Sequence, residues 1–255
     1  FRCAEAMPDA DATAIYDKLR AVPNLPHQVR VAVLRGAIRS RGAKGVPLIA
    51  EAIRTESYVP AAAAIRISME IPGSEVTQAL VGEIAGASEE KQVLLVQTLG
   101  YRGDATAAPA LVPLTQGGST NRRVTAIRSL VQLANPSSLP VLAALLKDPE
   151  PTVSGAALTG LTGFPGKEAD AAVVALLHES DAGVRVKAIE AVRQRRITAA
   201  VPALLKAAGD ADAGVAGAGF KVLGEFAGVA ELPGMVDAMC QTKAVPAAES
   251  ALSAI

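Results

Sequence analysis

The chain has 255 residues, half of them apolar, and its 25 basic and 25 acidic residues leave no net charge. This length is enough for one large domain or two small ones with a sizeable core. Aromatic residues make up only 3% and tryptophan is absent, which favours closely packed helices over a β-sandwich. A dedicated nucleic-acid-binding protein usually has a basic excess, so the charge balance argues against one. No apolar run reaches the ~20 residues that a membrane span needs.

In chain order, the predicted elements recur at a constant spacing. We call this spacing the repeat length, and it equals the difference in residue number between Pro109 and Pro140. A column of polar residues precedes an apolar-periodic stretch in successive repeats: Ser57, Ser88, Ser119, Glu150, Asp181 and Asp212. Such side chains accept hydrogen bonds from free N–H groups of a first helical turn, so the column predicts N-caps of the first helix in each repeat.

Two further columns predict a turn and a second helix. Gly42, Gly73, Asp104, Asn135, Gly166, Ile197 and Gly228 follow later in each repeat, and we expect them to close the first helix in a left-handed turn. Prolines stand a few residues later, at Pro47, Pro109, Pro140, Pro202 and Pro233. A proline is tolerated in the first turn of a helix, so these residues predict the start of the second helix.

The apolar residues of each repeat are spaced three and four apart, which predicts one buried stripe per helix. A helix pair of this size buries its stripe only by stacking on the next pair. The sequence therefore predicts an all-α fold, a right-handed α-solenoid of stacked antiparallel helix pairs with about seven full units plus partial end units. We expect Ala126, Ala157 and Ala188 to be buried, and the glycines of "AGVAGAGF" (213–220) to allow a close helix approach.

Two segments, "DAGVRVKAIEAVRQRRITAAVPALLKAAGD" (181–210) and "RRVTAIRSLVQLANPSSLPVLAALLKD" (122–148), show the pattern best. They resemble HEAT repeats, in the short bacterial form named after phycobilisome lyases. The resemblance covers residues 1–255 as a single solenoid and implies a fold more than a function. It also implies that an arginine after the first valine, here Arg30, Arg123 and Arg185, faces an aspartate of a neighbouring turn.

Both ends of the chain enter the pattern in mid-repeat. Steps of one repeat length place the end of a first helix at residues 1–8 and an unfinished first helix at Ile255. We expect the chain to be truncated at both ends from a longer protein, because terminal repeats normally carry polar caps.

The second helices supply the candidate contact surface. The HEAT resemblance implies that they line the concave face, where exposed positions recur once per repeat. The predicted partner contacts are Glu51, Arg54, Gln116, Lys147, His178, Lys206 and Asp237. They are interpreted either as a groove for a peptide or as an ordinary solvated surface.

Two basic groups and a few isolated residues are further candidates for a site. Arg30, Arg35, Arg39, Arg41 and Lys44 form the densest basic stretch, interpreted either as an anion or nucleic-acid patch or as a solvated helix face. Arg193, Arg195 and Arg196 end another helix and are interpreted as a solvated helix end. His27, His178, Cys3 and Cys240 lack partners at the spacing of a metal site or a catalytic pair, and Cys3 and Cys240 are expected to lie too far apart for a disulfide.

The leading functional hypothesis is a non-catalytic scaffold that binds a protein partner or an adjacent domain of its own chain. One alternative is nucleic-acid or anion binding through Arg30–Lys44. Another is an enzyme, since HEAT-like folds include phycobilin lyases and a DNA glycosylase, but few aromatic residues are available for either chemistry. No cofactor is predicted, and the composition indicates a bacterial protein, cytoplasmic or exported as part of a larger one.

Overall fold

The computed structural model describes residues 9–55, 57–242 and 244–255. All regular elements in these ranges are helical: α-helices, several of them preceded or followed by a single turn of 3-10 helix. The chain divides into two compact units, Phe1–Leu133 and Ala134–Ile255. The predicted all-α repeat fold is confirmed. The predictions for Cys3 and for the helix end at residues 1–8 lie outside the described residues.

In the first unit the α-helices follow in repeat order. They are α1 (Asp9–Arg20), α2 (His27–Arg39), α3 (Val46–Arg54), α4 (Tyr58–Ile67), α5 (Ser74–Glu83), α6 (Glu89–Arg102), α7 (Ala108–Leu111) and α8 (Thr120–Leu133). The pairs α2/α3, α4/α5 and α6/α7 are the first and second helices of consecutive repeats, and α1 stands at a second-helix position.

The second unit continues the same alternation. Its helices are α9 (Leu139–Ala144), α10 (Pro151–Gly163), α11 (Lys167–Ala175), α12 (Ala182–Arg195), α13 (Val201–Ala208), α14 (Ala213–Phe226), α15 (Leu232–Gln241) and α16 (Val245–Leu252). Several second helices begin or end in a 3-10 turn. These turns include Ala105–Ala107, Val112–Thr115, Pro136–Ser138, Leu145–Lys147, Leu176–His178, Thr198–Ala200 and Val229–Glu231.

The predicted N-caps stand at the starts of the first helices. The Ser119 hydroxyl accepts a hydrogen bond from the Arg122 N–H at 3.2 Å, and the Asp181 carboxylate accepts one from the Val184 N–H at 2.9 Å. Glu150 and Asp212 also cap through their carboxylates. Ser57 and Ser88 hold the cap position without a side-chain cap bond. The five prolines of the proline column all lie in the first turn of a second helix, as predicted.

The prediction that this column closes the first helix is wrong for four of its members, Asp104, Asn135, Ile197 and Gly228. Asp104 and Asn135 have negative φ angles, and their side chains accept N–H bonds in the 3-10 turn that leads into the second helix. Ile197 and Gly228 hold the same position before a 3-10 turn, also with negative φ angles. Asp104 and Asn135 therefore act as N-caps of the 3-10 turn that follows them. The left-handed residue that ends the first helix comes one position earlier, as at Gly103 with φ 70° and Arg196 with φ 56°.

Small residues lie where helices approach closely. Ala126, Ala157 and Ala188 are fully buried, as predicted. Gly219 of α14 lies so close to α13 that an added Cβ would come within 2.9 Å of the Ala208 backbone nitrogen. The glycine-rich stretch therefore permits close packing, as expected from the sequence. Within each unit, the apolar stripes of the helices form the core, and Phe164 and Phe220 of the second unit are among the largest buried side chains.

Candidate partner-binding surface

The seven residues predicted as partner contacts, here called the second-helix surface, are all exposed. Glu51 and Arg54 lie in α3, and Gln116 follows the turn Val112–Thr115, all in the first unit. The other four belong to the second unit: Lys147, His178, Lys206 and Asp237. Exposure is what a contact surface requires, and whether these residues touch a partner stays a prediction.

Several charges of this surface pair with the next second helix. Arg20 contacts Glu51 at 3.0 Å, and Arg54 contacts Glu83 at 2.7 Å. The hydrogen bond and the negative charge of Glu83 raise the pKa of Arg54. Exposed ion pairs stabilise a fold by about 0–1 kcal/mol.

The second unit shows the same kind of pair, between Lys147 and Glu179 at 2.9 Å. Within the described part of the chain, His178, Lys206 and Asp237 take part in no ion pair. These three side chains therefore remain available to a partner.

His178 and Lys206 line one polar cavity of about 290 Å³ in the second unit. Arg185 lies in its wall and donates to the carbonyl oxygens of Glu179 and Ser180 and to the Asp210 carboxylate, the last at 3.0 Å. The remaining lining residues are Leu177, Glu179, Ala203, Ala207 and Asp210. Two predicted contact residues thus lie at the same cavity, which is lined by both basic and acidic side chains. Arg185 also faces an aspartate, as the HEAT resemblance implied.

A more apolar cleft lies in the first unit, where α2, α3 and the start of α4 meet. It has a volume of about 190 Å³, with Arg30, Glu51 and Thr55 among its lining residues. A smaller cavity of about 120 Å³ adjoins it and shares Arg30, Leu34 and Pro60. Glu51 is the predicted contact residue that this cleft contains.

The basic stretch from Arg30 to Lys44 is largely neutralised by acidic side chains of the first unit. Arg35 contacts Glu70 at 2.9 Å, Arg39 approaches the same carboxylate at 3.7 Å, and Arg41 pairs with Asp17. Arg30 and Lys44 are exposed. The stretch therefore presents fewer free cations than its sequence indicates.

In the second basic group, Arg193 and Arg195 also form ion pairs with acidic side chains. Arg193 contacts Glu190 at 2.7 Å and lies 3.9 Å from Glu225, and Arg196 is exposed. Arg195 contacts Asp170 at 2.7 Å and donates to four carbonyl oxygens that follow or end α10, those of Leu161, Thr162, Phe164 and Gly166. Arg102 does the same three repeats earlier, for Ser68, Ile71 and Gly73. These arginines close the first helix of the preceding repeat.

His27 is exposed and lines the smaller cavity of the first unit. Cys240 is a free, exposed thiol in α15. The described residues contain no group of three His, Cys, Asp or Glu side chains arranged to hold a metal ion. In the same part of the chain no helix is long and apolar enough to cross a membrane.

Sequence reasoning missed the partners of these side chains. Arg20 stands 31 residues before Glu51, which is one repeat length, so extending that column toward the N-terminus would have found it. Glu83 and Glu179 lie 29 and 32 residues from their partners, outside the strict period. Only the stacked geometry reveals those two pairs.

Helix pairs repeated at a constant spacing define an α-solenoid fold. Residues 78–162 match the family model of HEAT repeats, so the HEAT-repeat resemblance of the sequence is confirmed. Among curated proteins, none matches this sequence.

Three solved structures illustrate the likeness in fold. Human deoxyhypusine hydroxylase is 18% identical, with 96% of each chain covered and a TM-score of 0.43. The Escherichia coli protein YibA is 17% identical, with 98% of this chain and 97% of that chain covered and a TM-score of 0.44. The complex of CpcE and CpcF of phycocyanin lyase from Nostoc is 19% identical, with 89% and 93% covered and a TM-score of 0.44.

Proposed function

We propose that this protein is a non-catalytic scaffold that holds a protein partner, or a neighbouring domain of its own chain, on the second-helix surface. The observation that carries the proposal is that exposed polar residues recur within each unit, on the second helices or the turns that end them, over the unit's own buried core. Stacked repeats present extended surfaces of this kind, and repeat proteins use them for binding.

The second unit supports the proposal in detail. His178 and Lys206 flank a polar cavity, while Arg185 and Asp210 in its wall are fixed by hydrogen bonds to each other and to the backbone. A contact surface whose supporting side chains are already ordered loses less conformational entropy on binding. Polar and charged groups in fixed positions select a partner by complementary charge.

The test uses a photoreactive amino acid in place of one exposed lysine at a time. Lys206 of α13 lies on the second-helix surface, and Lys221 of α14 is a matched exposed lysine on a first helix. In cells of the source organism, we expect the same protein to be cross-linked at position 206 and not at position 221. Equal cross-linking at both positions, or cross-linking at 221 alone, would contradict the proposal.

Nucleic-acid binding through Arg30–Lys44 predicts a different outcome. Binding to phosphates weakens steeply with salt, because condensed counterions are released on association. A scaffold of the proposed kind is expected to pass a heparin column at about 0.15 M salt without retention. Salt-sensitive retention that is lost in the Arg30→Gln variant would favour the basic stretch instead.

A further inference from the structure

Arg30 stands at the repeat position of Arg185, five repeats earlier in the chain. Arg185 contacts Asp210, which lies 25 residues further along the chain, at 3.0 Å. The residue at the same offset from Arg30 is Thr55. The position that holds a carboxylate next to Arg185 therefore holds the neutral side chain of Thr55 in the repeat of Arg30.

Thr55 is already committed to its own turn. Its hydroxyl donates to the Ala52 carbonyl oxygen at 2.7 Å, and its own carbonyl oxygen accepts a hydrogen bond from the buried Lys91 ammonium. Among the described residues, no acidic side chain lies within ion-pair distance of Arg30. The other arginines of α2 whose side chains lie near an acid, Arg35 and Arg39, share Glu70. Within the described part of the chain, Arg30 is thus an exposed cation without an acidic partner, and it lines a cleft.

The cleft beside Arg30 is lined mainly by apolar side chains, including Leu25, Val33 and Leu48. Its other charged lining residues are Arg20 and Glu51, which pair with each other, so Arg30 leaves the site with an excess positive charge. The two adjoining cavities, about 190 and 120 Å³, are each smaller than the roughly 300–1,000 Å³ of a pocket for a drug-sized ligand. Their size suits single side chains.

We propose that this cleft binds an acidic side chain and an adjacent apolar side chain from a protein partner. The partner's carboxylate takes the place beside Arg30 that the Asp210 carboxylate takes beside Arg185, and the apolar side chain enters the cleft between α2 and α3. A charge-assisted bond between a guanidinium and a carboxylate is stronger than a neutral one and is directional, so it fixes the register of the bound segment. The proposal rests on the proposed partner-binding function and adds a contact on a first helix.

The probe is a blocked peptide, acetyl-Leu-Glu-Leu-Leu-amide, with the glutamine counterpart as its matched control. Binding to the full chain is followed by NMR chemical-shift titration. We expect shifts at Arg30, Leu34 and Leu48, and at least about tenfold weaker binding of the glutamine peptide, because it lacks the charge.

Two variants test the site from opposite sides. Arg30→Gln removes the cation, and Thr55→Asp supplies the missing carboxylate from within the chain. Each variant is expected to bind the glutamate peptide about tenfold or more weakly than the unaltered protein does. Arg66→Gln, an exposed arginine of α4, is expected to bind as the unaltered protein does. Circular dichroism melting confirms that each variant is folded before binding is compared.

Several results would overturn the proposal. These are equal binding of both peptides, unchanged binding by folded Arg30→Gln and Thr55→Asp, or shifts at the cleft with inorganic phosphate but not with the glutamate peptide. The last result would indicate a site for free anions. None of them would alter cross-linking at Lys206 in the other unit, so this proposal and the proposed function fail separately.

Discussion

At the scale of single residues, Ser119 connects two repeats as well as capping its own helix. Its hydroxyl accepts the Arg122 N–H, and its backbone N–H donates to the Glu89 carboxylate at 2.7 Å. We expect Ser119→Ala to lower the free energy of unfolding by about 0.5–2 kcal/mol in urea denaturation. Ser57→Ala is the matched control, because Ser57 holds the same position without a side-chain cap bond. A larger loss at Ser57 than at Ser119 would contradict the assignment of the cap.

Because of the contact with Glu89, we expect an aspartate at position 119 to stabilise the fold less than the cap column alone predicts. Ser119→Asp would bring a second carboxylate next to Glu89, and like charges at hydrogen-bond distance repel. Asp181 and Asp212 show that aspartate caps well elsewhere in the repeat. The preference for serine over aspartate at position 119 therefore depends on Glu89 of the neighbouring repeat, which the cap column does not take into account.

Glu89 adds a pH dependence. Hydrogen bonds from the hydroxyl and the backbone N–H of Ser119 lower the pKa of the Glu89 carboxyl from its ordinary value of 4.5. A carboxyl whose pKa is lower in the folded state stabilises the fold above pH 4.5, and this contribution disappears as the pH falls through the lowered value. The stability difference between the unaltered protein and Glu89→Gln should therefore shrink between about pH 7 and about pH 3. A difference that stays constant over this range in urea unfolding would show that the carboxylate charge contributes nothing.

At the scale of helices, contacts between first helices are close. Ala157 of α10 is fully buried, whereas Ala171 of α11 is exposed. We expect Ala157→Leu to destabilise the fold by about 1–3 kcal/mol through overpacking. Ala171→Leu adds the same atoms at the surface and should change stability by no more than about 0.5 kcal/mol. Similar thermal midpoints for the two variants would refute the packing described for α10.

Arginines that cross between repeats are a second link between helices. The Arg195 side chain is only 10% exposed, pairs with Asp170 and holds the carbonyl groups at the end of α10. Arg195→Lys keeps the charge but loses the planar fork of donors. It should cost about 1.5–3 kcal/mol, typical of lost hydrogen bonds to a charged group. The exposed neighbour Arg196→Gln is expected to have little effect, and hydrogen exchange at the end of α10 would rise only in the Arg195 variant.

Local signals account for what could be predicted at this scale. The cap at Asp181 and the proline at Pro202 act on backbone groups within a few residues, so their spacing in the sequence is their spacing in the structure. The partners of Arg195 and Arg54 lie 25 or more residues away. Nothing in the local sequence specifies such pairs, and the exact stacking of helices decides which acid each arginine meets. The error at Asp104 arose because a turn residue that caps the next helix and one that closes the previous helix have similar compositions.

At the scale of the whole molecule, the chain consists of two compact units built from one repeat. In repeat folds each repeat contacts mainly the adjacent repeats, so an exposed residue can be substituted with little effect on the core. The second-helix surface could be predicted as a set of exposed positions, since periodicity alone places them. The cleft at Arg30 could not, because it depends on the volume left between α2, α3 and α4.

The central claim is that the second helices carry the contact surface. The most direct measurement is hydrogen–deuterium exchange of the whole chain, alone and with the protein captured by cross-linking at Lys206. The account predicts slower exchange on binding in α11, in the turn Leu176–His178 and in α13, with α12 and α14 unchanged. Slower exchange confined to α12 and α14 would contradict it, because these are the first helices of the same repeats.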